Sequence, residues 1–133
     1  MAAAVHLSGA CPAPFRLTGA LAAATVIAAG AVAFERVYTA GFASVTFRYK
    51  AASITGTCTS NVHPMLSDAK DDGSAGTRSV TGLPTPVTTA PTTEQILTYT
   101  LKGESFVEFE LSMSSTGGHT VTLSYVDVYL LAL

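Results

Sequence analysis

From Val32 onward, apolar and polar residues alternate with a period of two, the pattern of strands that bury one face. Val45, Phe47 and Tyr49 alternate with Thr46, Arg48 and Lys50, and Leu97, Tyr99 and Leu101 repeat the rhythm. Phe109, Leu111 and Met113 oppose Glu108, Glu110 and Ser112, which predicts two carboxylates on a solvent face. Residues 115–118 then place Gly117-Gly118 between two alternating runs, the sequence signal of a hairpin. In the final run, 119–131, Val121, Leu123 and Tyr125 share a face with Asp127 and Tyr129, while Val126, Val128 and Leu130 take the other. Either a bulge shifts the phase or both faces are covered; cover by the N-terminal arm or a neighbouring subunit is the expectation. The whole pattern predicts an all-β antiparallel β-sandwich, jelly-roll or immunoglobulin-like, of roughly seven or eight strands.

The N-terminal third breaks this alternation. Seventeen of twenty-one Ala lie in the first 52 residues, and no charge falls between Arg16 and Glu35. A secretory signal would use Arg16, the apolar run 21–29 and the A-x-A arrangement at 31–33, but a long leader with Pro12, Pro14 and one basic residue fits poorly. A membrane-spanning helix needs about 20 strongly apolar residues, and this run is built from Ala, Gly and Thr. No membrane partner is therefore expected. Thr25-Val26-Ile27 and Val32-Ala33-Phe34, with Ala28-Ala29-Gly30-Ala31 between them, read as strand, turn, strand. Residues 1–24 then form an extended Ala-rich N-terminal arm that packs on something larger, and residues 25–133 form the sandwich. Residues 67–77 and 83–93 read as loops, the second an extended, polyproline-like course.

Composition sharpens the class. A chain of 133 residues holds one core. Charged residues make up 12% against about 25% in ordinary soluble proteins, with 48% hydrophobic residues and a net charge of -2. Disorder and binding to nucleic acid are both disfavoured by these values. Nineteen Thr, twelve Ser and eleven Gly must supply much of the surface. Such a skin offers little electrostatic repulsion between copies and suits a chain that lives assembled.

Candidate chemistry is sparse. Asp68, Asp71, Asp72 and Ser74 around Gly73 lack the every-second-residue spacing of a calcium loop and read as a solvated turn. Glu108 and Glu110, neighbours on one strand face, read as solvated rather than as an acid–base pair. His6, His63 and His119 have no metal-ligand spacing. No Ser sits in G-x-S-x-G, and Cys11 and Cys58 resemble no catalytic or redox motif; both are expected to be reduced, buried thiols. No catalytic, cofactor-binding or metal residue is assigned, no cofactor is implied, and the chain is not expected to be an enzyme. Trp is absent and the five Tyr mostly fall in core patterns, which removes the usual platform for a sugar.

Two stretches, 41–59 and 98–130, resemble the small β-sandwich capsid decoration (cement or auxiliary) proteins of tailed bacteriophages. The likeness is carried by the Leu101-Lys102-Gly103 turn into Phe106-Val107-Glu108-Phe109, the Gly-containing turn, and the closing Thr120-Val121-Thr122 strand. The resemblance implies a virion structural protein on the capsid exterior. Its partner would be the major capsid protein, whose subunits it bridges and stabilises as a homotrimer or other homo-oligomer. Carbohydrate-binding sandwiches, secreted or virion-mounted, share much of the pattern, and a phage tail or connector role is a third reading.

Overall fold

The computed structural model describes residues 3–6, 14–79, 87–89, 92–115 and 117–133. Among these there is no helix, and nine strands follow one another: β1 (Phe15–Arg16), β2 (Val26–Ile27), β3 (Val32–Tyr38), β4 (Phe42–Ile54), β5 (Cys58–Pro64), β6 (Val87–Thr89), β7 (Gln95–Thr100), β8 (Phe106–Met113) and β9 (Val121–Ala132). One sheet runs β1-β9-β4-β7 with β2 also on β9, and the other runs β3-β8-β5-β6. Every strand pair is antiparallel. β1 and β2 lie against successive lengths of β9, Phe15 opposite Val128 and Ile27 opposite Val121, so they act as one interrupted strand. Counted that way, the nine strands become eight, and from β2 onward the chain changes sheet at every connection except β5 to β6. This is the connectivity of a jelly roll.

The expected alternation builds the core. Val45, Phe47, Tyr49, Leu97 and Tyr99 of one sheet meet Val62, Phe109, Leu111 and Met113 of the other, all of them buried. Phe47 stacks on Phe109 across the layers with centroids 4.7 Å apart. Side chains of this size each contribute roughly 1.5–3 kcal/mol when taken out of water.

Two local expectations are corrected by the tertiary arrangement. First, Gly117-Gly118 does not tip a hairpin, because β8 and β9 belong to different sheets. Both glycines adopt positive φ, 53° and 70°, as a tight reversal needs, but the reversal crosses the sandwich. β9 instead takes β4 as its neighbour along almost its full length. Second, the phase change in β9 is a bulge. Lys50 pairs with Tyr125 and Ala51 with Leu123, which leaves Ser124 as an extra residue; Ala52 is the matching extra residue on β4. Leu123 and Val126 therefore both face the core, and neither the arm nor a neighbour is needed to explain the pattern.

The described parts of residues 1–24 pack against the sandwich. Leu17 and Leu21 are wholly buried in the main core. Leu17 N–H donates to the Val126 carbonyl at 2.9 Å and Ala24 N–H to the Leu123 carbonyl at 2.8 Å, closing the outer edge of β9. Val5 runs parallel to β3, donating to the Arg36 carbonyl and accepting from Tyr38 N–H, both at 2.8 Å. An extended Ala-rich chain has small side chains and a full set of backbone groups, which is what an open sheet edge requires. Of the 83–93 stretch, 87–89 form β6 and most of the remainder lies outside the described residues, as does Cys11.

Candidate functional site

Glu108 was expected in solvent; it is 1% exposed. The antiparallel register sets Arg36 of β3 directly opposite it. Glu108 Oε2 accepts from Arg36 Nε at 3.1 Å and Nη2 at 2.9 Å, and Oε1 accepts from Arg78 Nη2 at 2.9 Å. Arg78 arrives on the loop after β5, which folds over this face of the sheet. Ser79 N–H donates to the Pro64 carbonyl, Leu66 N–H to the Thr77 carbonyl, both at 2.7 Å, and Arg36 Nη1 holds the Lys70 carbonyl at 2.6 Å. Ala4, Met65 and Phe106 form a second small core beneath the loop. Strand periodicity assigned Glu108 to the correct face; it carries no information about the loop that covers that face. A cavity of about 230 Å³ opens beside the cluster, between Phe34, Met65 and Gly76. Both oxygens of Glu108 are engaged by guanidinium groups, so the cluster clamps the loop and presents no free base.

The other sequence candidates stay apart. Asp68 accepts from the Thr77 hydroxyl at 2.6 Å and Thr77 N–H at 2.9 Å, and Asp72 accepts from Ser74 N–H at 2.9 Å. These hydrogen bonds hold both carboxyls below their ordinary range, the Thr77 hydroxyl acting most strongly on Asp68 and the Ser74 amide on Asp72. Asp71 lies 2.6 Å from His6 Nε2, and the His6 ring stacks on Tyr38. His63 Nε2 sits 3.4 Å from Glu110, while His119 lies over Gly56, far along the chain from both. Among the described residues no group of three His, Cys, Asp or Glu side chains converges on a metal position. Cys58 is a buried free thiol whose pKa burial pushes up to about 11, which leaves it inert at neutral pH.

A different constellation lies on the outer face of the β9-β4-β7 sheet. Beyond the Ser124 bulge, Tyr125, Asp127 and Tyr129 point away from the core, beside Arg48 of β4 and Arg16 of β1. Arg16 grips Asp127 with both ends of its fork, Nε to Oδ1 at 2.9 Å and Nη2 to Oδ2 at 3.1 Å. The Arg16 guanidinium sits 4.7 Å from the Tyr125 ring centroid and that of Arg48 sits 5.0 Å from Tyr129. The Tyr125 hydroxyl donates to Glu94, which also pairs with Arg48 Nε at 3.2 Å. That acceptor holds the Tyr125 phenol above its ordinary pKa. Ile96 and Leu131, 60% and 63% exposed, border the patch.

The reading of tyrosines as core holds for Tyr49 and Tyr99, whereas Tyr38, Tyr125 and Tyr129 are half-buried. The bulge is what moves the last two outward, and the broken alternation in β9 was the signal available for it. The patch offers half-buried tyrosine rings held by arginine forks, residue types enriched at the energetic centres of protein interfaces.

No protein-family model and no curated protein matches the sequence. Among solved structures, a crystal structure of tripeptidyl peptidase 2 (TPP II) superimposes on 96% of this chain with a TM-score of 0.60 and 10% sequence identity. The match spans 10% of the peptidase chain, and at this identity it describes a shared β-sandwich fold alone.

Proposed function

We propose that this chain is a non-catalytic structural module that docks on an assembled surface through the Tyr125–Tyr129 face, and that the surface is a bacteriophage head. In this role it decorates the capsid and bridges neighbouring major capsid protein subunits. The observation that carries the docking reading is the patch itself, in which Tyr125 and Tyr129 are pre-positioned by Arg16, Arg48, Asp127 and Glu94. Preformed rotamers lower the entropy lost on binding. The phage assignment rests on the resemblance in 41–59 and 98–130, and it accords with a jelly roll, an architecture common to capsid and lectin domains. Low charge favours close apposition of copies, and many weak contacts then add by multivalency.

Co-sedimentation with assembled, undecorated heads and with free capsid subunits tests this. Binding to heads alone is expected, with Tyr129→Ala lowering affinity by roughly tenfold or more. Absence of binding to heads overturns the reading.

The outward position of Tyr125 and Tyr129 favours a carbohydrate-binding module as the second reading. A sugar stacks on an open ring face, and each of these rings has a guanidinium over one of its two faces. A glycan array giving a specific signal that Tyr129→Ala abolishes would decide for the sugar.

A further inference from the structure

Among the described residues, the β9-β4-β7 sheet ends at β7, whose outer side pairs with no strand. β7 pairs with β4 in unbroken register from Tyr49 opposite Gln95 to Ser44 opposite Thr100. Just beyond, Leu101 N–H donates to the Ala43 carbonyl at 2.8 Å. Backbone groups alternate along a strand, so those of Gln95, Leu97 and Tyr99 face β4, while those of Ile96, Thr98 and Thr100 face away. Among the described residues no strand lies on that outer side.

The other sheet edges differ. β9 is closed by β1 and β2, β3 is bridged by Val5, and β6 is three residues long. β7 is six residues long and contains no charge, no Pro and no bulge, the devices that normally keep an edge from pairing. Its outer face is exposed at Ile96, Thr98 and Thr100.

We infer that β7 is the pairing edge for a second copy of this chain, antiparallel about a two-fold axis through Thr98. In this register Thr98 faces its own counterpart and Ile96 of each copy faces Thr100 of the other, so every outward N–H and C=O is used. A two-residue slide leaves part of the set unpaired, and a one-residue slide turns the core face of one copy beside the outer face of the other. Residues 96–100 lie symmetrically about Thr98 and carry no charge, which selects a second copy of the same strand over a charged partner strand. The inference stands on the backbone edge of β7, whereas the docking reading stands on the Tyr125–Tyr129 side chains, which Ile96 borders.

Sedimentation velocity of the full chain over a concentration series, with Thr98→Pro and Thr98→Lys, tests the pairing. Thr98→Pro removes an outward N–H and spares the backbone hydrogen bonds to β4; Thr98→Lys sets two ammonium groups opposite each other, and both variants give up the Thr46 hydroxyl contact. The wild type is expected to form dimers or even-numbered assemblies, with both variants raising the dissociation constant roughly tenfold or more. The Ile96, Thr98 and Thr100 amides should exchange slowly with solvent deuterium only in the associated wild type. A wild type that is monomeric or trimeric, variants that associate equally well, or unprotected amides in the assembly overturn it. Should Thr98→Pro fail to fold, Thr98→Lys and the amide exchange carry the test alone. Loss of head binding with dimerisation intact would count against the proposed function and leave this inference standing.

Discussion

Single residues in this fold are constrained by electrostatics and backbone geometry as much as by packing. Arg36 and Glu108 are both almost completely removed from solvent, and each is the other's counter-charge. Glu108→Gln leaves a buried guanidinium without its anion and should destabilise by about 3–5 kcal/mol, measured by urea denaturation. Gly56 has φ +81°, and a Cβ there would lie 2.3 Å from His119 Nδ1; Gly103 has φ +98° with nothing near. Gly103→Ala should therefore cost about 1 kcal/mol from the left-handed backbone alone, and Gly56→Ala distinctly more, read as the difference in denaturation midpoint. Glu35 accepts from Leu21 N–H at 2.7 Å. Burial nevertheless raises its pKa above the ordinary 4.5, outweighing the hydrogen bonds from Leu21 and Gly19. The folded state therefore binds this proton more tightly than the unfolded chain, so stability falls as pH rises from 4.5 through the folded value. Against wild type, Glu35→Gln should gain relative stability across that window in urea midpoints taken at successive pH values. Asp68 and Asp72 act with the opposite sign: their contribution is present above 3.8 and is lost as pH falls through their lowered values.

At the level of elements, edges and phase explain more than propensity. β9 changes the face it buries at Ser124, and β4 makes the matching change at Ala52, so one paired irregularity keeps both strands on a common core. The same irregularity creates the Tyr125–Tyr129 patch. The N-terminal segment closes the open side of β9 and anchors itself with Leu17 and Leu21. Leu21→Ala should cost about 2–5 kcal/mol by cavity formation, a value from chemical denaturation that would be near zero if the segment were a detachable arm. Residues 2–24 consequently cannot be removed without opening the core, and because Arg16 also belongs to the patch, particle binding is probed by point substitution instead of deletion.

As a whole molecule, the chain is two antiparallel sheets closed around an aromatic centre, with one outer face covered by the loop that Arg78 clamps to Glu108 and the other carrying the tyrosine patch. The two outer faces therefore differ, one carrying a packed loop and the other half-buried tyrosines. The peptidase likeness adds an architecture and no chemistry, as expected when one fold hosts many functions. Strand existence, the inward residues Val45, Phe47, Tyr49, Leu97, Phe109 and Leu111, and the all-β class were legible in the sequence because alternation with period two is a local consequence of strand geometry. The turn signals at Gly30, Gly103 and Gly117-Gly118 were equally local. Which sheet each strand joins was not legible, since a Gly-Gly reversal has the same chemistry whether it closes a hairpin or crosses between layers. The candidate face was not legible either, because one extra residue in β9 reverses the meaning of every later position. The fate of Glu108 depended on Arg36 across the ladder and Arg78 on a distant loop. Sequence by itself determined the long strands and the buried sides of β4, β7 and β8, for these follow from neighbours along the chain; tertiary structure decided the short edge strands, the phase of β9, partners, cover and exposure, for these follow from neighbours in space.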